Sequence, residues 1–176
     1  MSRFAARTLW ITTFGLGHLR PAPGTWGSLP PCVAAAVLAH FHAIPGTELS
    51  WLWYVVMAIL LYTFSMACIF QGPAAETAFG RKDPSQAVAD ETAGMALVLL
   101  TMPNGACATF WGMVVWVGAA FVLFRIMDII KPPPARGLQR LKSGWGILID
   151  DLLAAAYAIG VLWLVWVLSG RWGWRA

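Results

Sequence analysis

Residues 51–70 read WLWYVVMAILLYTFSMACIF, an uncharged run of twenty mostly apolar residues. A helix of that length spans a hydrocarbon core about 30 Å thick. Similar runs lie at 108–127 (ATFWGMVVWVGAAFVLFRIM) and 148–168 (LIDDLLAAAYAIGVLWLVWVL), and a shorter apolar helix is predicted at 28–43. These segments predict a membrane protein built from helices.

The overall composition supports the same class of protein. The chain is 59% hydrophobic and only 11% charged, whereas soluble domains carry about 25% charged residues. Its net charge of +4 comes from basic residues that flank the apolar runs. That arrangement suits orientation in a membrane and attraction of anionic lipids better than binding of nucleic acid. Cys32, Cys68 and Cys107 lie in apolar surroundings without C-x-x-C spacing, so neither disulfides nor zinc ligands are expected.

The segment 92–102 is too short to span a bilayer by itself, because eleven helical residues reach only about 16 Å. If it nevertheless crosses, all of the twelve basic residues except Arg171 and Arg175 fall on one side. The positive-inside rule then favours the crossing and places the N-terminus in the cytoplasm. We therefore predict one domain, residues 1–176, that is an all-α integral membrane protein. It is expected to be a compact bundle of about five transmembrane helices with a re-entrant or interfacial N-terminal loop.

Acidic residues cluster at the ends of the predicted helices. Asp90-Glu91 and Asp150-Asp151 open two of them, Asp128 follows the end of another, and the topology places all three ends at the cytoplasmic face. Charges at membrane depth are costly and usually functional. Acidic pairs at helix starts could also be simple capping residues. Asp128 stands at a helix C-terminus, where the dipole disfavours an anion. It therefore needs a partner: Arg125, Lys131 or a metal ion.

Two loops offer groups that could bind an anion. Lys131-Pro132-Pro133-Pro134 ends a helix and starts a basic loop with Arg136, Arg140 and Lys142, which suits an anionic headgroup or serves only as a topology signal. The glycine- and proline-rich stretch 15–28 contains Thr25 and Ser28 before a helix. Its backbone N–H groups could cradle an anion, although a plain re-entrant turn is an equal alternative.

Four motifs together resemble the phosphatidylglycerophosphatase A family. They are Pro23-Gly24-Thr25-Trp26-Gly27-Ser28-Leu29, Asp90-Glu91-x-x-Gly94-Met95, Phe124-Arg125-Ile126-Met127-Asp128-Ile129-Ile130-Lys131-Pro132 and Gly144-x-Gly146-Ile147-x-Ile149-Asp150-Asp151. The resemblance implies a Mg²⁺-dependent lipid phosphatase of the bacterial inner membrane that converts phosphatidylglycerophosphate to phosphatidylglycerol. One departure is Gly17-His18-Leu19-Arg20-Pro21, where Gly-x-Leu-Pro-x is expected, so no role is assigned to His18 or Arg20.

On this reading the site residues fall into three groups. We expect Mg²⁺ ligands among Asp90, Glu91, Asp128 and Asp151; catalytic groups among Asp128, Asp150, Asp151 and Arg125; and substrate contacts from Thr25, Ser28, Lys131, Arg136 and Lys142. Attack by water and attack by a carboxylate to form an acyl phosphate both remain open. The rival interpretations are a small cation transporter or channel that uses the acidic cluster, and a purely structural subunit.

Overall fold

The computed structural model describes residues 8–106, 109–133 and 144–171. These residues form a 3-10 helix at Leu16–His18 and five α-helices, with no strand among them. The helices are α1 (Pro23–His40), α2 (Ser50–Phe79), α3 (Ala89–Leu100), α4 (Phe110–Ile130) and α5 (Gly144–Arg171). The prediction of an all-helical protein is confirmed.

Three of these helices, α2, α4 and α5, are long and apolar enough to cross a membrane. Each presents large apolar side chains at its surface, such as Ile59 on α2, Val115 on α4 and Leu164 on α5. Such a surface suits contact with lipid chains. Membrane crossing by α1 and α3 stays a prediction, as does a re-entrant N-terminal loop.

The short helix α3 forms the centre of the bundle and contacts each of the other four helices. Twelve residues give it a length of about 18 Å. Its polar contacts are to protein: Trp53 Nε1 donates to the Leu99 carbonyl oxygen at 3.0 Å, and Thr92 Oγ1 donates to the Gly27 carbonyl oxygen at 2.7 Å. Because neighbouring helices surround α3, it does not need the length that a lipid-exposed helix requires.

Gly94 brings α3 close to α4 and α5. A Cβ atom at this position would lie 2.7 Å from the ring of Phe124 and 3.2 Å from the backbone oxygen of Asp151. Any larger residue would therefore push the helices apart. The close contact fixes the backbone of Asp151 next to the first turns of α3.

Two helices begin earlier than the sequence suggested. α1 begins at Pro23 rather than at 28, since proline favours the first helical position. α5 begins at Gly144, so Asp150 and Asp151 lie in its second turn. The expectation that this acidic pair lies in the first turn is wrong, and capping of the helix start does not explain it.

Candidate active site

The acidic helix ends meet at one open pocket of about 380 Å³. Its walls come from the loop between α2 and α3, the start of α3, the end of α4 and the second turn of α5. The lining residues are Arg81, Asp83, Ser85, Ala87, Asp90, Glu91, Asp128, Ile129, Lys131 and Asp151. The structure thus brings together the carboxylates that the sequence distributes over sixty residues of chain.

Three of these carboxylates are arranged as a cation site. Asp90, Glu91 and Asp151 each offer an oxygen, and these oxygens all lie within 4.8 Å of one another. Asp90 Oδ1, Glu91 Oε2 and Asp151 Oδ2 are buried and have no hydrogen-bond partner. Buried negative charges this close repel each other and have lost their hydration. A hard divalent cation would satisfy all three oxygens, so the residues present fit Mg²⁺.

Asp128 lies beside this group but is engaged by cations. Arg125 Nη1 lies 2.9 Å from Asp128 Oδ2 and 3.9 Å from Glu91 Oε1, and Lys131 Nζ lies 3.9 Å from Asp128 Oδ1. Asp128 is not in the group of mutually close oxygens formed by the three other carboxylates. The structure therefore places Asp128 as the partner of Arg125 more directly than as a metal ligand.

Asp150 holds Lys131 at the edge of the pocket. The two side chains form an ion pair, with Asp150 buried and Lys131 half-buried. Lys131 ends α4 in the left-handed backbone conformation (φ 48°), which turns the chain into the proline run. Desolvation favours the neutral amine, but the hydrogen bond to Asp150 and the nearby carboxylates outweigh it. The pKa of Lys131 is therefore raised, and the lysine stays charged at neutral pH.

The loop between α2 and α3 supplies pocket residues that the sequence analysis did not select. Arg81, Asp83 and Ser85 line the pocket, and Asp83 has a left-handed backbone (φ 50°). Desolvation at the pocket wall raises the pKa of Asp83, although Lys131 acts in the opposite direction. The sequence feature that could have indicated this loop is the turn Asp83-Pro84-Ser85. It connects α2 and α3, and the ends of both helices reach the site.

The motif at Pro23–Ser28 contacts the site through its backbone. A Cβ atom at Gly24 would collide with Glu91 Oε1 and would lie 2.8 Å from both terminal nitrogens of Arg125. The Ser28 hydroxyl is buried and donates to the Gly24 carbonyl oxygen at 2.9 Å. Ser28 and the half-buried Thr25 are absent from the pocket lining. This segment forms the first turns of α1, packed on Glu91 and Arg125, and substrate contacts from Thr25 and Ser28 stay a prediction.

Four further positions named from the sequence remain. Arg136 and Lys142, expected to contact substrate, lie outside the described residues, as does Cys107. His18 packs against Phe79, with ring centroids 6.0 Å apart, and does not line the pocket.

Comparison with known proteins shows the family of this chain. The family model described as phosphatidylglycerophosphatase A matches residues 9–166. This chain belongs to the phosphatidylglycerophosphatase A family. A Haemophilus influenzae protein named phosphatidylglycerophosphatase A is 36% identical over 159 residues, which cover 88% of this chain and 86% of that protein. An Escherichia coli protein of the same name is 34% identical over 155 residues, covering 86% of this chain and 78% of that protein.

A third relative carries a different name. A Bacteroides thetaiotaomicron protein named putative phosphatidylinositol-3-phosphatase is 36% identical over 160 residues, covering 90% of this chain and 92% of that protein. No solved structure matches the chain. The resemblance to the phosphatidylglycerophosphatase A family is thus confirmed. Each of the four motifs that carried it contributes a residue to the site: Gly24 beside Glu91, the Asp90-Glu91 pair, the Arg125–Lys131 segment and Asp151.

Proposed function

We propose that this chain is a Mg²⁺-dependent lipid phosphatase that hydrolyses phosphatidylglycerophosphate to phosphatidylglycerol and phosphate. One observation carries the proposal beyond the family assignment. Asp90, Glu91 and Asp151 each have a buried oxygen without a hydrogen-bond partner, and the three carboxylates converge in an open pocket with Lys131 beside them. A divalent cation together with an ammonium group is what binding of a phosphomonoester dianion requires.

The metal would be held by Asp90, Glu91 and Asp151. When bound, Mg²⁺ supplies positive charge that polarises the phosphoryl oxygens. Lys131, fixed by Asp150, adds a second positive charge at the pocket wall, where it offsets the charge that builds up on the phosphoryl group. Arg125 is absent from the pocket lining. We assign it to positioning Glu91 and Asp128, with which it forms ion pairs.

A lipid substrate is supported by the apolar surroundings of the pocket. Ile129 lines the pocket and is 72% exposed, on the last turn of the apolar helix α4. A headgroup in the pocket can therefore remain connected to acyl chains that lie along the bundle surface. The described carboxylates of the site all lie at one end of the bundle. This argues for an interfacial enzyme over a cation transporter, which needs polar groups through the membrane depth.

We further propose that the pocket opens to the cytoplasm and that the membrane is the bacterial inner membrane. Arg81, Lys82 and Lys131 lie at the pocket end of the bundle, in or next to the α2–α3 loop and at the end of α4. The positive-inside rule assigns such residues to the cytoplasmic side. In this orientation the five helices cross the membrane in alternating directions. α1 and α3 then also cross the membrane, and the other four helices surround α3.

The test is phosphate release by the purified protein from phosphatidylglycerophosphate in mixed micelles. Release should stop in a chelator and return when Mg²⁺ is added in excess. Phosphatidylinositol 3-phosphate, presented at the same surface concentration, decides between the two substrates suggested by the relatives' names. Equal release with and without the chelator would exclude metal-dependent catalysis, and faster release from the inositol lipid would reassign the substrate.

A further inference from the structure

Within the described part of the chain, the pocket is lined by one basic side chain that the proposed chemistry does not use. Two basic side chains line it, Arg81 and Lys131, and Lys131 is bound to Asp150 and lies near Asp128. Among residues 8–106, 109–133 and 144–171, Arg81 forms no ion pair. Arg81 acts electrostatically on Asp83, two residues along the loop, and lowers its pKa, without an ion pair between the two side chains. The Arg81 guanidinium is therefore available to an anion that enters the pocket.

The position of Arg81 separates it from the buried carboxylates. Gly80 ends α2 in the left-handed conformation (φ 68°), which turns the chain so that Arg81 begins the α2–α3 loop. Arg81 is exposed, whereas Asp90 and Asp151 are buried. The pocket thus has a buried acidic wall, suited to a metal ion and the phosphate that reacts, and an exposed basic group on the loop wall.

The substrate of the proposed reaction carries two phosphates, a terminal phosphomonoester and a phosphodiester that links the glycerol to the lipid. The acidic cluster and Lys131 serve the first, and among the described residues that line the pocket Arg81 is the remaining basic side chain that could serve the second. An arginine stays charged at every physiological pH and binds phosphate oxygens through two parallel N–H groups. A pocket of about 380 Å³ falls within the range of sites that enclose small ligands.

We infer that Arg81 binds the phosphodiester of the lipid headgroup and is a specificity-determining residue of this phosphatase. The inference rests on the proposed function. Arg81 would strengthen the binding of lipids that carry a second phosphate next to the one that is removed. The product phosphatidylglycerol keeps the phosphodiester and lacks the monoester. It should therefore bind through Arg81, whereas inorganic phosphate should bind only at the acidic wall.

The experiment compares Arg81→Gln with two variants of the full-length protein. Arg81→Lys keeps the charge and loses the paired donors, and Lys82→Gln removes the neighbouring exposed charge, which does not line the pocket. For each we would measure kcat/KM with phosphatidylglycerophosphate and inhibition by phosphatidylglycerol and by inorganic phosphate. Arg81→Gln should lower kcat/KM about tenfold or more and weaken inhibition by phosphatidylglycerol similarly, as expected for a charged hydrogen bond. Inhibition by phosphate should not change, and Lys82→Gln should resemble the wild type.

The results separate the inference from the proposed function. A wild-type protein that releases no phosphate from the lipid would refute the function itself. An active wild type that phosphatidylglycerol does not inhibit, or an Arg81→Gln variant that loses inhibition by both ligands equally, would overturn the role of Arg81. If Arg81→Gln is not recovered folded, Arg81→Lys gives the same comparison, with a smaller loss confined to the lipid ligands.

Discussion

Asp151 is the most deeply buried of the three carboxylates in the proposed metal site. It is 2% exposed, and its Oδ2 atom lacks a hydrogen-bond partner. Asp151→Asn keeps the shape of the side chain and removes the charge that a cation needs. We expect phosphate release to fall at least about 10²-fold. The protein should remain folded, because the change removes one of several buried charges that repel each other.

The matched control for Asp151→Asn is Glu48→Gln, an amide substitution at an exposed carboxylate in the loop between α1 and α2. Its phosphate release should equal that of the wild type. Near-normal turnover by a well-folded Asp151→Asn protein would place the metal site elsewhere and leave the acidic cluster without a catalytic role.

Some of the pocket residues could be predicted from the sequence and others could not. Asp90, Glu91 and Asp151 were selected because charges beside apolar segments are costly, and the structure brings them together. Arg81 and Asp83 were passed over because a loop between two helices gives no periodic signal that points toward the pocket. Ser28 was selected from the polarity of its side chain, but its hydroxyl is used within its own helix.

At the scale of elements, α1 acts on the site through its packing at Gly24. A Cβ atom there would meet Glu91 and the Arg125 guanidinium, so Gly24→Ala should displace the side chains that adjoin the metal site. Misplacement by about 1 Å can cost about 10²-fold in rate. We expect at least a tenfold loss of phosphate release, measured alongside thermal unfolding.

Gly160→Ala in α5 and Gly118→Ala in α4 are the controls for Gly24→Ala, since a Cβ atom at either position meets nothing within 4 Å. Alanine is the better helix former by about 1 kcal/mol, so neither control should lose stability or turnover. A Gly24→Ala protein as active as these controls would show that the contact of α1 with Glu91 and Arg125 does not matter for catalysis.

The apolar runs predicted the three long helices, because runs of about twenty mostly apolar residues leave few alternatives to a membrane helix. The ends of helices were harder to predict. α2 continues past the apolar run to Phe79 and contains Pro73, where contacts in the folded chain, such as Gln71 Oε1 accepting from the Ile11 N–H at 3.0 Å, support the helix. α1 begins within a motif that glycine and proline made look like a loop.

At the scale of the whole molecule, charge counting and topology predicted that the acidic helix ends would lie on one side, and the structure shows them in one pocket. The helices alternate in direction, since the starts of α1, α3 and α5 and the ends of α2 and α4 adjoin this pocket. A second pocket of about 270 Å³ is lined by the end of α1 and the start of α4. These two helix ends lie together at the opposite end of the bundle, as expected for helices that alternate in direction. Sequence could not give the distances, which depend on close contacts such as those at Gly94.

The orientation of this bundle in the membrane can be tested by labelling single cysteines in intact cells. In a variant whose native cysteines are replaced and whose activity is retained, a cysteine at Lys82 marks the pocket end, and one at Glu48 marks the opposite end; both positions are exposed. Because basic residues gather at the pocket end, the positive-inside rule predicts that this end faces the cytoplasm. A membrane-impermeant maleimide should therefore label position 48 in intact cells and position 82 only after the membrane is opened.

Two outcomes would contradict this arrangement in different ways. Reversed labelling would mean that the pocket faces the outside of the cell. The enzyme would then have to bind its substrate from the outer leaflet. Equal labelling of both positions in intact cells would mean that α2, which connects them, does not cross the bilayer. α2 has thirty residues, and its uncharged apolar run of twenty residues is long enough to span the hydrocarbon core. Crossing is therefore the expected result.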